Sequence, residues 1–213
     1  MWSLAHPPLR RTLTVLSMAG LLAAGGGITT AAQASPASSL TVKYKVNGTT
    51  HLKSVNATAK LGPGSLTTTA NLSTGTLTAN LALPATTVSF KLFGVVPVLA
   101  TAKLTQDGET TGTVNLNTGA VKTTSKIILQ LTSLEISGLA LPVPKTCQSA
   151  TPMVVDLTSQ AGFSVVKGGP LAGTYTMPKV ANCGELTAVL NAVFPGSGNT
   201  INLTLSDATA VNS

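Results

Sequence analysis

From Leu40 onward the chain repeats with a period of two. Leu40, Val42, Tyr44 and Val46 alternate with Thr41, Lys43 and Lys45. Successive side chains on a strand point to opposite faces, so this pattern describes strands with one buried and one wet face. The alternation returns over 66–72, 76–83, 86–92, 98–105, 110–116, 121–136, 153–158, 171–177 and 200–206. Thirty threonines stand in the chain after residue 34, and a β-branched hydroxyl side chain suits the solvent face of a pleated strand. Asn47-Gly48 and Asp107-Gly108 read as tight hairpin turns. Asn71-Leu72-Ser73-Thr74-Gly75 and Asn115-Leu116-Asn117-Thr118-Gly119 look like two copies of one turn.

One segment breaks the period. Between Gly184 and Phe194, Leu186, Val189, Leu190, Val193 and Phe194 fall at helical spacing, and Pro195-Gly196 ends the run. Such a helix is expected to plug one face or end of the sheet. The fold class that follows is all-β: an antiparallel sandwich or barrel-like sheet with one short C-terminal helix.

The first 34 residues read as a targeting segment. Arg10 and Arg11 form a positive n-region, an apolar stretch runs over 13–28, and Ala32-Gln33-Ala34 offers small residues for cleavage before Ser35. The ordinary secretory route is favoured, because Thr14 falls where a twin-arginine signal usually has a large apolar residue. Residues 35–213 then form a single β-rich domain, secreted and extracellular, and no stretch in it reaches the length of a membrane span. Its two cysteines, Cys147 and Cys183, suit an oxidising compartment and are expected to form one disulfide.

That mature segment has no Trp, no Arg and one His, and eleven lysines face six carboxylates for a net charge of +5. Nucleic-acid binding would call for arginine forks, a basic cluster or stacking aromatics, so no nucleic-acid partner is expected. The scattered lysines leave room for weak attraction to anionic envelope or membrane surfaces. Metal binding needs converging His, Cys or carboxylate ligands, and neither a metal nor another cofactor is expected. The Gly-rich stretches Leu61-Gly62-Pro63-Gly64-Ser65 and Lys167-Gly168-Gly169-Pro170 lack the order of a phosphate loop, the first lying between strands.

Nucleophilic hydrolysis passes this filter. A Ser–His–acid arrangement could use only His51 as base, with Ser197 or Ser65, each beside glycine, as nucleophile. Asp156 or Asp207 could orient the His, and the spacing does not choose between them; the esterase reading takes Asp156 as the orienting acid. The nucleophile elbow G-x-S-x-G is absent. The most apolar run, residues 90–99, reads either as two core strands joined around Gly94 or as a lipophilic loop. In the second case Phe90, Leu92, Phe93 and Val96 would bind an apolar ligand or touch a membrane. Leu139-Ala140-Leu141-Pro142-Val143-Pro144 carries the same two readings.

Several segments resemble a group of small secreted actinobacterial proteins, some of which carry the label cholesterol esterase. They are Leu61-Gly62-Pro63-Gly64, the run from Val88 through Val98, Leu141-Pro142-Val143 and Lys167-Gly168-Gly169. Gly173-Thr174-Tyr175-Thr176, Asn182-Cys183-Gly184 and Pro195-Gly196-Ser197-Gly198-Asn199-Thr200 complete the set. The resemblance implies secretion, a single disulfide and action on steryl or fatty esters. The expected partner is thus an apolar small molecule or lipid ester, met by a monomer. Two functions follow: a lipid esterase using His51, or a non-catalytic module that binds an apolar ligand or associates with the envelope.

Overall fold

The computed structural model describes residues 39–211. The expected signal peptide, residues 1–34, lies outside them.

The alternation resolves into a closed barrel rather than a two-sheet sandwich. Strands β1 (Ser39–Leu52), β2 (Ala57–Asn71), β3 (Thr76–Ala82), β4 (Thr86–Leu92), β5 (Val96–Gln106), β6 (Thr110–Val114) and β7 (Val121–Ile136) come first. Two short strands, β8 (Leu139–Leu141) and β9 (Gln148–Ser149), lead to β10 (Met153–Ser159) and β11 (Gly169–Met177). The short β12 (Val180–Ala181), helix α1 (Leu186–Val193) and β13 (Gly196–Ala210) end the chain.

Every strand pairing is antiparallel, and β13 returns to pair with β1. β3 and β4 form one stave, because β3 pairs with β6 and β4 with β5 in nearly the same register. β5 and β6 likewise continue along β7 as one stave. Eight staves therefore close as an up-and-down barrel, with β7 joined to β10. Eight strands enclose an interior just wide enough for side chains or one small ligand.

Two turn assignments fail for physical reasons. Asn47-Gly48 lies inside β1, which runs straight past it. A Cβ on Gly48 would overlap the Asn202 carbonyl oxygen, so the glycine admits a close backbone approach between staves. Asp107-Gly108 reverses nothing: Asp107 N–H still bonds the Lys126 carbonyl at 2.8 Å, and β6 resumes on the same partner. Gly108, at φ +76°, absorbs an irregularity of bulge type. Gln106 patches the gap there, accepting from Leu81 N–H at 2.6 Å and donating to the Ala79 carbonyl at 2.8 Å. Leu61-Gly62-Pro63-Gly64-Ser65, placed between strands by the sequence, lies wholly within β2, where the β1 pairing shifts by a residue.

The twin turns are alike in detail. Asn71 Oδ1 accepts from Ser73 and Thr74 N–H, and Asn115 Oδ1 accepts from Asn117 and Thr118 N–H, all within 2.9–3.0 Å.

Both barrel ends are closed. At one end α1 turns Leu190 inward, with Leu186, Val193 and Phe194 packed against the core. The Cys147–Cys183 disulfide ties the chain before this helix to the loop preceding β9, as the cysteine pattern suggested. At the other end the 160–168 loop inserts Phe163 and Val165 against Ala70, Leu77, Val114 and Val121. Tyr44 fastens that loop by donating its hydroxyl to the Val165 carbonyl. Among the described residues, no helix is long and apolar enough to cross a membrane.

Candidate functional site

The barrel interior is incompletely filled. A cavity of about 120 Å³ runs from Leu190 and Phe194 at the helix end to the middle of the barrel. A second, of about 50 Å³, continues towards Phe163 and Val165 at the far end. Leu81, Ser125, Leu157 and Leu203 border both. The larger space is several times the ~10–15 Å³ that one water requires.

The vacancy has a cause in the inward phase of the strands. Ala59, Ala100 and Ala102 project inward where Leu61, Ile127, Leu129 and Leu131 do so elsewhere, and all seven line the larger cavity. A closed sheet cannot draw its walls together to compensate for a small side chain, so short inward residues leave volume.

The walls are overwhelmingly aliphatic, and no Lys, Arg, His, Asp or Glu lines either cavity. The polar side chains that line the larger cavity are all hydrogen-bonded within the protein. Thr50 Oγ1 donates to the Thr200 carbonyl at 3.0 Å and so accepts from the Tyr175 hydroxyl at 2.7 Å. Burial pushes the Tyr175 phenol up from its ordinary pKa, and the Thr50 bond partly offsets this. Tyr44, which borders the smaller cavity, is pushed up to about 12 by burial. Thr110 and Ser125 share a 2.7 Å hydrogen bond, and Gln106 Nε2 donates to Thr110 at 3.3 Å. Among the described residues no buried side-chain polar atom lacks a partner. An apolar cavity with its polar groups already paired offers water little and hydrocarbon much.

The residues expected to perform ester cleavage are on the other side of the wall. His51 lies between inward Thr50 and Leu52, so its ring is on the outer face, with Nδ1 3.2 Å from Thr58 Oγ1. Asp156, between inward Val155 and Leu157, is also outward and accepts a 2.6 Å bond from Thr124. The two belong to one outer row, Thr58–His51–Thr200–Thr174–Asp156–Thr124. Three strand spacings, roughly 14 Å of sheet, separate them. Ser65 sits opposite Lys45 and Ala82, six positions along β1 from His51. Ser197 is exposed at the start of β13, three residues before the Thr200 that faces His51. Asp207 lies 3.9 Å from Lys45. A base must reach its nucleophile at hydrogen-bond distance; the structure brings none of these groups together.

The expected ligand residues divide. Phe90 is buried and stacks edge-on against Phe194 of the helix end, with ring centroids 5.4 Å apart. Leu92 is half-buried in the wall beneath α1, and Val96 is half-buried at the start of β5. Phe93 stands out in solvent at the tip of the β4–β5 hairpin. None of the four lines the main cavity; the 90–99 run forms two strands joined by a tip that exposes Phe93 and Val95. Sequence reasoning missed the interior, although alanines recurring in the inward phase were its signal.

Comparison with protein-family models, with curated proteins and with solved structures finds no match to the chain.

Proposed function

We propose that the chain is a non-catalytic binding module that encloses one small, neutral, apolar molecule within its barrel. The single observation that carries this reading is the aliphatic cavity of about 120 Å³ whose lining polar side chains are all hydrogen-bonded within the protein. Such a site takes its affinity from buried apolar surface, about 25 cal/mol per Å². An anionic head group would be left without a counter-charge, which is costly to bury. The cavity is also below the ~300–1,000 Å³ of a drug-sized ligand site. A single short alkyl chain or a small ring therefore fits the volume better than a steryl ester. Cleavage of a leader over residues 1–34 would put this binding outside the cytoplasm, in keeping with the disulfide.

The test is an NMR titration of the 35–213 chain with 1-octanol, and separately with octanoate. Saturable shifts are expected at Ile127, Val155 and Leu203, strong for the alcohol and weak for the carboxylate. Ala100→Leu, which fills the space with hydrocarbon, should weaken octanol binding by about tenfold or more while leaving the fold intact. Absence of saturable interior shifts in the wild type would overturn the proposal.

A further inference from the structure

Two hairpin tips project beside the helix-capped end of the barrel. The β4–β5 tip carries Phe93, 89% exposed, and Val95, 73% exposed; the β7–β8 tip is followed directly by Leu139, 67% exposed. The tips are neighbours, since Val98 pairs with Ile136 and Ser137 N–H bonds the Pro97 carbonyl at 2.8 Å.

Phe93 is unfavourable twice over. It exposes an aromatic ring to water, and its φ of +51° puts a bulky side chain in the left-handed region, followed by Gly94 at +78°. Tight hairpin turns with two such residues prefer Asn-Gly, because Asn tolerates that conformation and most side chains do not. Nothing in the fold requires phenylalanine here. A residue held at a cost in both packing and backbone points to a partner that uses it.

The surroundings specify that partner. Lys91 is exposed at the base of the tip, and Lys53, Lys145 and Lys179 are exposed on segments at the same end, against Glu135 and Glu185. Apolar side chains on convex tips, ringed by a lysine excess, match an anionic lipid surface: the side chains enter the acyl boundary and the ammonium groups stay at head-group level. Beneath the tips the apolar surface continues inward. Phe90, Leu92, Val189 and Val193 line a small gap of about 20 Å³ under α1, and Leu190 and Phe194 border both that gap and the main cavity.

We infer that the paired tips, with Phe93, Val95 and Leu139, anchor the helix-capped end of the barrel on an anionic bilayer, so that an apolar ligand enters from the membrane past Leu190 and Phe194. The entry route rests on the interior-binding reading; the anchor itself does not.

The deciding variant is Phe93→Asn. It places the preferred residue at the left-handed position, so thermal stability should hold or rise. Co-sedimentation of the 35–213 chain with phosphatidylcholine vesicles containing phosphatidylglycerol should show binding that falls about tenfold or more in the variant. Wild-type binding should weaken in pure phosphatidylcholine and at high salt. No wild-type binding to the anionic vesicles, or equal binding by Phe93→Asn, would overturn the anchor. The 1-octanol titration separates the two ideas. Octanol binding without vesicle binding removes the anchor alone, and vesicle binding without octanol binding removes the interior ligand alone.

Discussion

Tyr44 shows how much one side chain does at the far end of the barrel. Its ring is buried beside the smaller cavity, and its hydroxyl is the tether that fastens the 160–168 loop through the Val165 carbonyl. Burial disfavours the phenolate, which holds the folded-state pKa at about 12 against 10.0 for the free group. The folded chain therefore keeps a proton that the unfolded chain releases first as pH rises. Stability from this group is complete below about pH 10 and declines as pH rises towards about 12. Tyr175 is shifted in the same direction. Denaturant unfolding of the wild type at a series of pH values through that range should show the decline. Tyr44→Phe should cost about 1 kcal/mol at neutral pH, from the lost tether, and should flatten the alkaline slope. An unchanged slope in the variant would mean that Tyr44 is not the titrating group. The same scale explains why the hydrolytic residues did not assemble. The alternation that makes Thr50 and Leu52 inward makes His51 outward, and a period of two grants no exception.

At the scale of elements, the strands and the helix were legible because their periods are strong, while two of the turns were not. Asn-Gly and Asp-Gly are hairpin signals only when the chain must reverse. Here one glycine lets two staves approach and the other sits in an irregular stave, and both demands come from barrel closure rather than local sequence. The Asn71 and Asn115 turns were legible because their Asn side chains bond the local backbone whatever the tertiary context. The helix cap is different again, since eight residues are too few to hold a helix alone. Its order depends on packing and on the disulfide that closes a 36-residue separation. On the chain-entropy account that bridge contributes about 4 kcal/mol. Replacing both Cys147 and Cys183 with Ser should lower unfolding stability by roughly 2–4 kcal/mol. Amide exchange should then accelerate first in α1 and β12, with the central parts of β1 and β2 still protected. Uniform acceleration across the barrel would show that the bridge acts on the unfolded chain alone.

For the whole molecule, the decisive step is closure, and closure was the part least legible in sequence. Alternation and spacing fit a sandwich and a barrel equally; what separates them is whether the last strand meets the first, a contact between residues some 150 positions apart. That contact also makes the interior a container, because side chains too small to fill a closed barrel leave a cavity that a sandwich would lose by sliding its sheets together. β13 pairs with β1 on one side and β11 on the other, and Val211 N–H bonds the Thr41 carbonyl at 2.9 Å, so the ends of the barrel chain lie side by side. Removing β13 would expose two long strand edges and the aliphatic lining between them. A chain ending at Pro195 should lose its cooperative thermal transition and aggregate. A circular permutant, with a short linker from residue 211 to residue 39 and new termini in the Asn115–Gly119 turn, should keep the transition. The permutant retains every stave contact and changes only connectivity, so a cooperative transition in both chains would show that the seam is dispensable. Its failure alongside the truncated chain would tie folding to strand order along the sequence rather than to closure.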